Sequence, residues 1–300
     1  MRPVELAGTV KRYGKLTALD SVSLQVDRGE VLALVGHNGA GKSTMMKLIL
    51  GLIRPTAGTV RTLGEDPAGH SGGEVRRRIG FLPESVSFTG AMTGHEIVRF
   101  YLKLRGEPAR AALPLLERVG LAQAADRRVS TYSKGMRQRL GLAQALIGEP
   151  QLMLLDEPTT GLDPTLRQTF YATVEELRRA GCAILLSSHA LAELEQRVDR
   201  VAILEGGRLA ACGRLGELRQ AARLPVRIRV KLPGEAPLAA LQRLGAAPAG
   251  DRVMEIEVVN GGKVQMLGAL AALQPRLEDI EVLPPSLDDV YAKLRTGAVS

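Results

Sequence analysis

Three short, wholly apolar runs stand out along the chain: Val31–Val35, Leu152–Leu155 and Ala183–Leu186. Runs of this length without alternation predict parallel strands covered on both faces. The first two end in Gly36 and Asp156, and polar residues cluster beyond all three. Open parallel sheets place ligands there, outside the carboxyl ends of their strands. Val201–Leu204, a Gly-rich turn and Leu209–Ala211 predict a β-hairpin. Between about Gly94 and Ile147 the spacing shifts to three and four residues, as in Ala111–Val119 and Met136–Ile147, which predicts a helical insertion. After about Arg223 the pattern resets. Val226–Lys231 and Val253–Val259 alternate like half-buried strands, Asp279–Leu283 is a third candidate, and Leu238–Leu244 and Val264–Leu273 read as helices. The expected domains are 1–223, an α/β unit with its helical part at about 90–150, and 224–300, a small α+β unit joined through Arg214–Ala222.

Composition narrows the classes. The chain has 300 residues, 45% hydrophobic and 24% charged, as in ordinary globular proteins. Cys182 and Cys212 lack metal-ligand spacing and are expected to be reduced thiols. No unbroken apolar stretch reaches 18 residues, and the start lacks the apolar core of a secretory signal, so neither a spanning helix nor export of this chain is expected. The net charge is +8, yet residues 224–300 carry nine basic and nine acidic side chains, so the excess lies in 1–223. With no Trp and no basic stripe interleaved with aromatics, nucleic acid is not the expected partner.

Candidate chemistry gathers at the strand ends. Gly36-His37-Asn38-Gly39-Ala40-Gly41-Lys42-Ser43-Thr44 satisfies G-x-x-x-x-G-K-[ST] between an apolar strand and a helical pattern. That context defines a P-loop, whose backbone amides and Lys42 bind phosphate oxygens while Ser43 is placed to ligate Mg²⁺. Leu152-Met153-Leu154-Leu155-Asp156-Glu157 ends in two carboxylates. On a strand expected beside the P-loop strand, Asp156 can hold the metal's water shell, leaving Glu157 to orient an attacking water.

On these motifs residues 1–223 resemble the ATP-binding subunits of ABC transporters. The resemblance implies an α/β P-loop NTPase core with an antiparallel β subdomain and a helical subdomain, binding ATP and Mg²⁺. It aligns Tyr13 with the aromatic that stacks on adenine, and Thr131–Met136 with the family's signature, usually written LSGGQ. Ser133 and Gly135 keep two of its residues; Tyr132, Lys134 and Met136 depart from it. It aligns Gly161-Leu162-Asp163 with the D-loop, His189 with the switch histidine, and Glu84 with a metal-side glutamine. Lys134 is expected to add positive charge near phosphate. The implied assembly is a head-to-tail homodimer closing over two ATP molecules. It would sit peripherally on the cytoplasmic face beneath an integral-membrane permease, docked through the helical insertion and the loop around Glu84–Phe88. Val86, Phe88, Met92 and Ile97 are candidates for that docking or for the core.

Leu-Pro-Glu at 82–84 and Tyr-Ser-Lys-Gly-Met at 132–136 are similar to the ABC-2 exporter branch, as is the ending Pro284–Tyr291. Segments 36–39, 82–88 and 126–132 resemble most the ATPase of the Nos system, which serves copper-site maturation of nitrous-oxide reductase with a periplasmic partner. The alternatives are another ABC-2 exporter ATPase, a non-transport ABC ATPase acting on nucleic acid, and a non-catalytic ATP switch.

Overall fold

The three apolar runs form the middle of a six-stranded sheet in this computed structural model, which describes residues 1–233, 238–259, 261–273 and 277–297. Two compact units divide at Gly213/Arg214. The first runs β1 (Val4–Tyr13), β2 (Leu16–Val26), β3 (Val31–Val35), α1 (Lys42–Ile49), β4 (Ala57–Thr62), α2 (Gly72–Arg77) and β5 (Ile79–Leu82). Helices α3 (Gly94–Arg105), α4 (Ala112–Arg118) and α5 (Lys134–Ala145) follow, then β6 (Leu152–Asp156), α6 (Pro164–Arg179), β7 (Ala183–Ser187), α7 (Leu191–Leu194), β8 (Arg200–Glu205) and β9 (Arg208–Gly213).

The large sheet has the order β5-β6-β7-β3-β8-β9, with β9 alone antiparallel to its neighbour. Every residue of β3, β6 and β7 is buried, which is why these segments read as unbroken apolar runs. The order corrects one expectation: β6, which ends in Asp156, is not beside the P-loop strand β3, because β7 lies between them. A second sheet, β2-β1-β4, is antiparallel. Its apolar side chains Val4, Leu6, Val22, Leu24 and Val26 join Leu32, Leu34, Met45 and Leu48 in one core, which seats the start of α1.

In the insertion, α3 is entered through a capping box. Thr93 Oγ1 accepts from Glu96 N at 3.1 Å and Glu96 Oε2 accepts from Thr93 N at 2.8 Å, an arrangement contributing about 1 kcal/mol. Those hydrogen bonds hold the Glu96 carboxyl below its usual range. Ile97 is buried in this helical region, so it serves as core; Val86, Phe88 and Met92 stay partly exposed.

The second unit begins ten residues before the expected boundary, at Arg214. The expected link folds as α8 (Leu215–Ala221), which packs against α11 (Leu287–Gly297) of the same unit. Between them run β10 (Val226–Lys231), α9 (Leu238–Arg243), β11 (Ala247–Gly250), β12 (Val253–Val258), α10 (Lys263–Ala271) and β13 (Asp279–Leu283). The sheet order β11-β12-β10-β13 is antiparallel throughout, and each βαβ step skips one strand, the split βαβ arrangement. Ile228, Val230, Met254 and Ile256 pack with Leu241 of α9 and Leu270 of α10. The alternate residues carry charge, with Arg229 paired to Glu255 at 2.9 Å.

Candidate functional site

The loop Gly36–Thr44 follows β3 and opens α1. Two glycines are fixed there by close approach. A Cβ on Gly36 would lie 2.5 Å from the Leu204 carbonyl oxygen, and one on Gly41 would lie 2.7 Å from that of Ala18. Gly41 also holds φ +109°, which L side chains avoid. Ala40 N donates to His37 O at 3.1 Å and Gly207 N to Ala40 O at 3.2 Å, so the loop is held from within and from the β8–β9 turn. Gly41 caps α1 without a side-chain acceptor, leaving the first-turn amides for an anion. Asn38, Gly39 and Ser43 are exposed at the loop surface, and Thr44 is partly buried.

Lys42 is only 8% exposed and folds over its own loop, donating Nζ to the carbonyls of Gly36 and His37. A buried ammonium needs such acceptors, and phosphate oxygens are stronger ones.

Ser43 Oγ donates to Asp156 Oδ2 at 3.1 Å, although one strand, β7, separates β3 from β6 in the sheet order. Ser187, at the end of the intervening β7, supplies the link that sequence reasoning missed. Its hydroxyl donates to Asp156 Oδ1 at 2.6 Å and accepts from Glu157 N at 3.0 Å, and it is fully buried. The only available signal was its position at the polar end of an apolar run. The hydroxyl of Ser43 and the carboxylate of Asp156 form the hard oxygen set that Mg²⁺ takes, so the residues fit that cation. Glu84 lies exposed just beyond β5, where Leu82 pairs with Leu155, so it leaves the sheet one strand from Asp156 and Glu157. No hydrogen bond joins it to Ser43 or Asp156 among the described residues.

Glu157 has φ +49°, a costly backbone for a side chain of its kind, and is 5% exposed. Burial pushes its carboxyl above the usual carboxylate range; His189 and Lys42 pull it down, and Asp156 adds to the rise. His189 Nδ1 lies 2.8 Å from Glu157 Oε1, in ion-pair range without hydrogen-bond alignment, and the imidazole is 61% exposed. A carboxylate raised in this way, with the Lys42 ammonium acting on it, can accept a proton from water.

The other expected residues lie apart from this cluster. Tyr13 ends β1 with its ring 45% exposed and Lys11 Nζ 5.0 Å from the ring centre. The start expected for the helix near Met136 moves to Lys134, because Ser133 Oγ accepts from Met136 N at 3.2 Å and so caps α5. Gly135 thus sits in the first turn, where a Cβ would meet the Gly161 carbonyl oxygen at 3.6 Å. Lys134 lays its stem against Gly161. Tyr132 is buried, its hydroxyl donating to Ala124 O at 2.6 Å, so this departure from the signature anchors the helical region. Asp163 caps α6, accepting from Leu166 N at 2.9 Å, ahead of Pro164 at the first helical position.

Likeness to known proteins agrees with this geometry. The ABC transporter family model matches residues 19–160. The chain is 35% identical over 301 residues to the daunorubicin resistance ATP-binding protein DrrA3 of Streptomyces coeruleorubidus, covering 97% of this chain and 95% of that one. It is 30% identical to the linearmycin resistance ATP-binding protein LnrL of Bacillus subtilis, with 95% of each covered. Among solved structures, the ATP-binding subunit of an ABC transporter superposes with TM-score 0.68 at 34% identity, over 73% of this chain and 92% of that one. A dimeric ATP-binding cassette in a post-hydrolysis state with ADP and Pi gives TM-score 0.65 at 26% identity, over 71% and 98%. The chain therefore belongs to the ATP-binding proteins of ABC transporters, and it binds and hydrolyses ATP.

Proposed function

We propose that this protein is the motor of a membrane exporter, working as a head-to-tail homodimer on the cytoplasmic face of a separate permease. The observation that carries this reading is the buried Glu157, 2.8 Å from His189 and at the mouth of a phosphate-binding loop.

In this reading the ATP tail enters the loop and Lys42 exchanges the Gly36 and His37 carbonyls for phosphate oxygens. Asn38, Gly39, Gly41, Lys42 and Thr44 present their backbone to that tail, and the close packing of Gly36 and Gly41 keeps the loop in shape. Ser43 and Asp156 would hold Mg²⁺, which supplies charge neutralisation to the departing phosphate, with Glu84 approaching from the neighbouring strand. Glu157 accepts the proton of the attacking water, and His189 steadies its carboxylate. Tyr13 offers an exposed ring to adenine. Ser133, Gly135 and Asp163, on the surface formed by α5 and the turn before α6, would close over the nucleotide of a second copy. Val86, Phe88 and Met92 remain for the permease.

Cargo has two readings, each with its own support. The names of the relatives, which concern daunorubicin and linearmycin resistance, favour an amphipathic antibiotic-like substrate. Segments 36–39, 82–88 and 126–132 favour copper-site maturation of nitrous-oxide reductase, with the periplasmic partner reached through the permease.

The test is phosphate release by the purified chain, alone and with membranes bearing its permease. Stimulation by those membranes is expected; stimulation by DNA or RNA instead would overturn the exporter reading. Deleting the gene then separates the cargoes, by antibiotic sensitivity in one case and by copper-deficient nitrous-oxide reductase in the other.

A further inference from the structure

The backbone of His189 bonds to the Glu157 carboxyl, but its imidazole has little else to hold it. Its ring is 61% exposed, and the helix after it, α7, is a single turn whose N-cap, Ala190, offers no side-chain acceptor. Glu157 stands on the other side, at the head of the turn 157–163, in a backbone conformation that costs free energy. Two exposed or strained segments must nevertheless meet with two atoms 2.8 Å apart.

One guanidinium joins these segments. Arg167, in the first turns of α6, donates Nε to the Leu162 carbonyl at 3.0 Å and Nη1 to Glu193 Oε1 on α7. Leu162 N in turn donates to Thr159 O at 3.1 Å, and Thr160 N to Glu157 O at 3.2 Å, so the grip on Leu162 extends back to Glu157. Glu193 stands four residues after His189, so the grip on Glu193 extends back to the imidazole. The other oxygen of Glu193 is buried without a hydrogen-bond partner, so the carboxylate depends on Arg167. Tyr171 braces the same junction: its hydroxyl bonds to Thr159, and Arg197 of the segment after α7 lies 5.2 Å from its ring centre.

We propose that Arg167 is a positioning residue for ATP hydrolysis, a strut that holds the turn after Glu157 and the helix after His189 at the separation their contact requires. This rests on the reading of Glu157 as the base. Reaction geometry is sensitive at this scale, since about 1 Å of misplacement can cost on the order of a hundredfold in rate. Slackening the strut lets the Glu157 turn and the His189 segment drift apart, which should lower turnover while leaving the phosphate loop, and hence ATP affinity, in place.

The experiment compares Arg167→Ala, Arg167→Lys, His189→Ala and the double variant Arg167→Ala/His189→Ala in full-length protein, measuring kcat and, separately, ATP affinity by titration. Arg167→Ala is expected to lower kcat by about tenfold, with ATP affinity within about twofold. Arg167→Lys, which keeps a charge for Glu193 but lacks the fork to Leu162, should recover part of the loss. In the His189→Ala background Arg167→Ala should add nothing further. Additive losses, an unchanged kcat in Arg167→Ala, or loss of ATP binding in both Arg167 variants would each overturn the strut. Glu157→Gln measured alongside separates the two ideas: near-normal turnover there removes the base reading and the strut together, whereas a dead Glu157→Gln with additive Arg167 and His189 effects removes only the strut.

Discussion

The two units bury different kinds of side chain. In the second, the core is aliphatic, from Ile228 to Leu270, and the charges stand on the other residues of alternating strands, as in Arg229 paired with Glu255. In the first, the sheet has an equally apolar centre but ends in buried polar groups. Lys42, Asp156, Glu157, Thr159, Ser187 and Ser188 are all buried, and among the described residues no charged or polar side chain of the second unit is. Burying such groups costs free energy unless each is paired, and several here are paired only partly. The first unit therefore carries a cost at its strand ends that the second avoids, and that cost marks where chemistry is done.

The comparison can be broken in four ways. Ile256→Ala, which empties a fully covered core position of the second unit, should cost about 2–5 kcal/mol of that unit's stability. Calorimetry should register the loss while isothermal titration finds ATP affinity unchanged; a matching fall in affinity would mean that the units are not separable in this way. Gly36→Ala should act in reverse. Its methyl would meet the Leu204 carbonyl oxygen at 2.5 Å and Ala40 Cβ at 2.9 Å, and distorting the loop to admit it should cost about 3 kcal/mol of ATP binding. Fluorescent nucleotide displacement would read this.

Ser187→Ala leaves Asp156 Oδ1 and Glu157 N without their shared partner, a cost of about 2 kcal/mol. Turnover should fall more than ATP affinity, because Glu157 loses its backbone anchor. Equal kcat in the variant would deny the hydroxyl a role in aligning the two carboxylates.

The smallest effect concerns α6. Arg178 and Arg179 hold the partly exposed Glu175 carboxyl down to about 2, against an ordinary value of 4.5. A carboxyl lowered in the folded state adds stability above its unfolded value and loses that contribution as pH falls toward its folded one. Glu175→Gln should therefore cost a little thermal stability at neutral pH and nothing near pH 2, which melting curves across that window would show.

How far the sequence foretold this depends on the physics of each part. Strands β3, β6 and β7 were legible because burial on both faces demands uninterrupted apolar residues. The P-loop was legible because its backbone path requires glycine where other chain atoms approach Gly36 and Gly41. Strands β1 and β2 were not read from periodicity. Register shifts between Leu6 and Arg12, and positive φ at Gly8 and Ser21, break their alternation. Sheet order was also hidden, because nothing local to β6 or β7 specifies which strand lies beside β3. Ser187 escaped for the same reason: its importance comes from two partners about thirty residues away in sequence. Tyr132 was placed by its motif, but its burial against Ala124 depends on how the helical region closes.

The central claim is that a buried carboxylate beside a phosphate-binding loop drives ATP hydrolysis, and its most direct measurement is the Glu157→Gln variant with Mg-ATP. Removing a general base should lower phosphate release by about a hundredfold or more, while direct titration finds ATP bound as in the parent protein. Turnover near the parent rate in that variant would contradict the account.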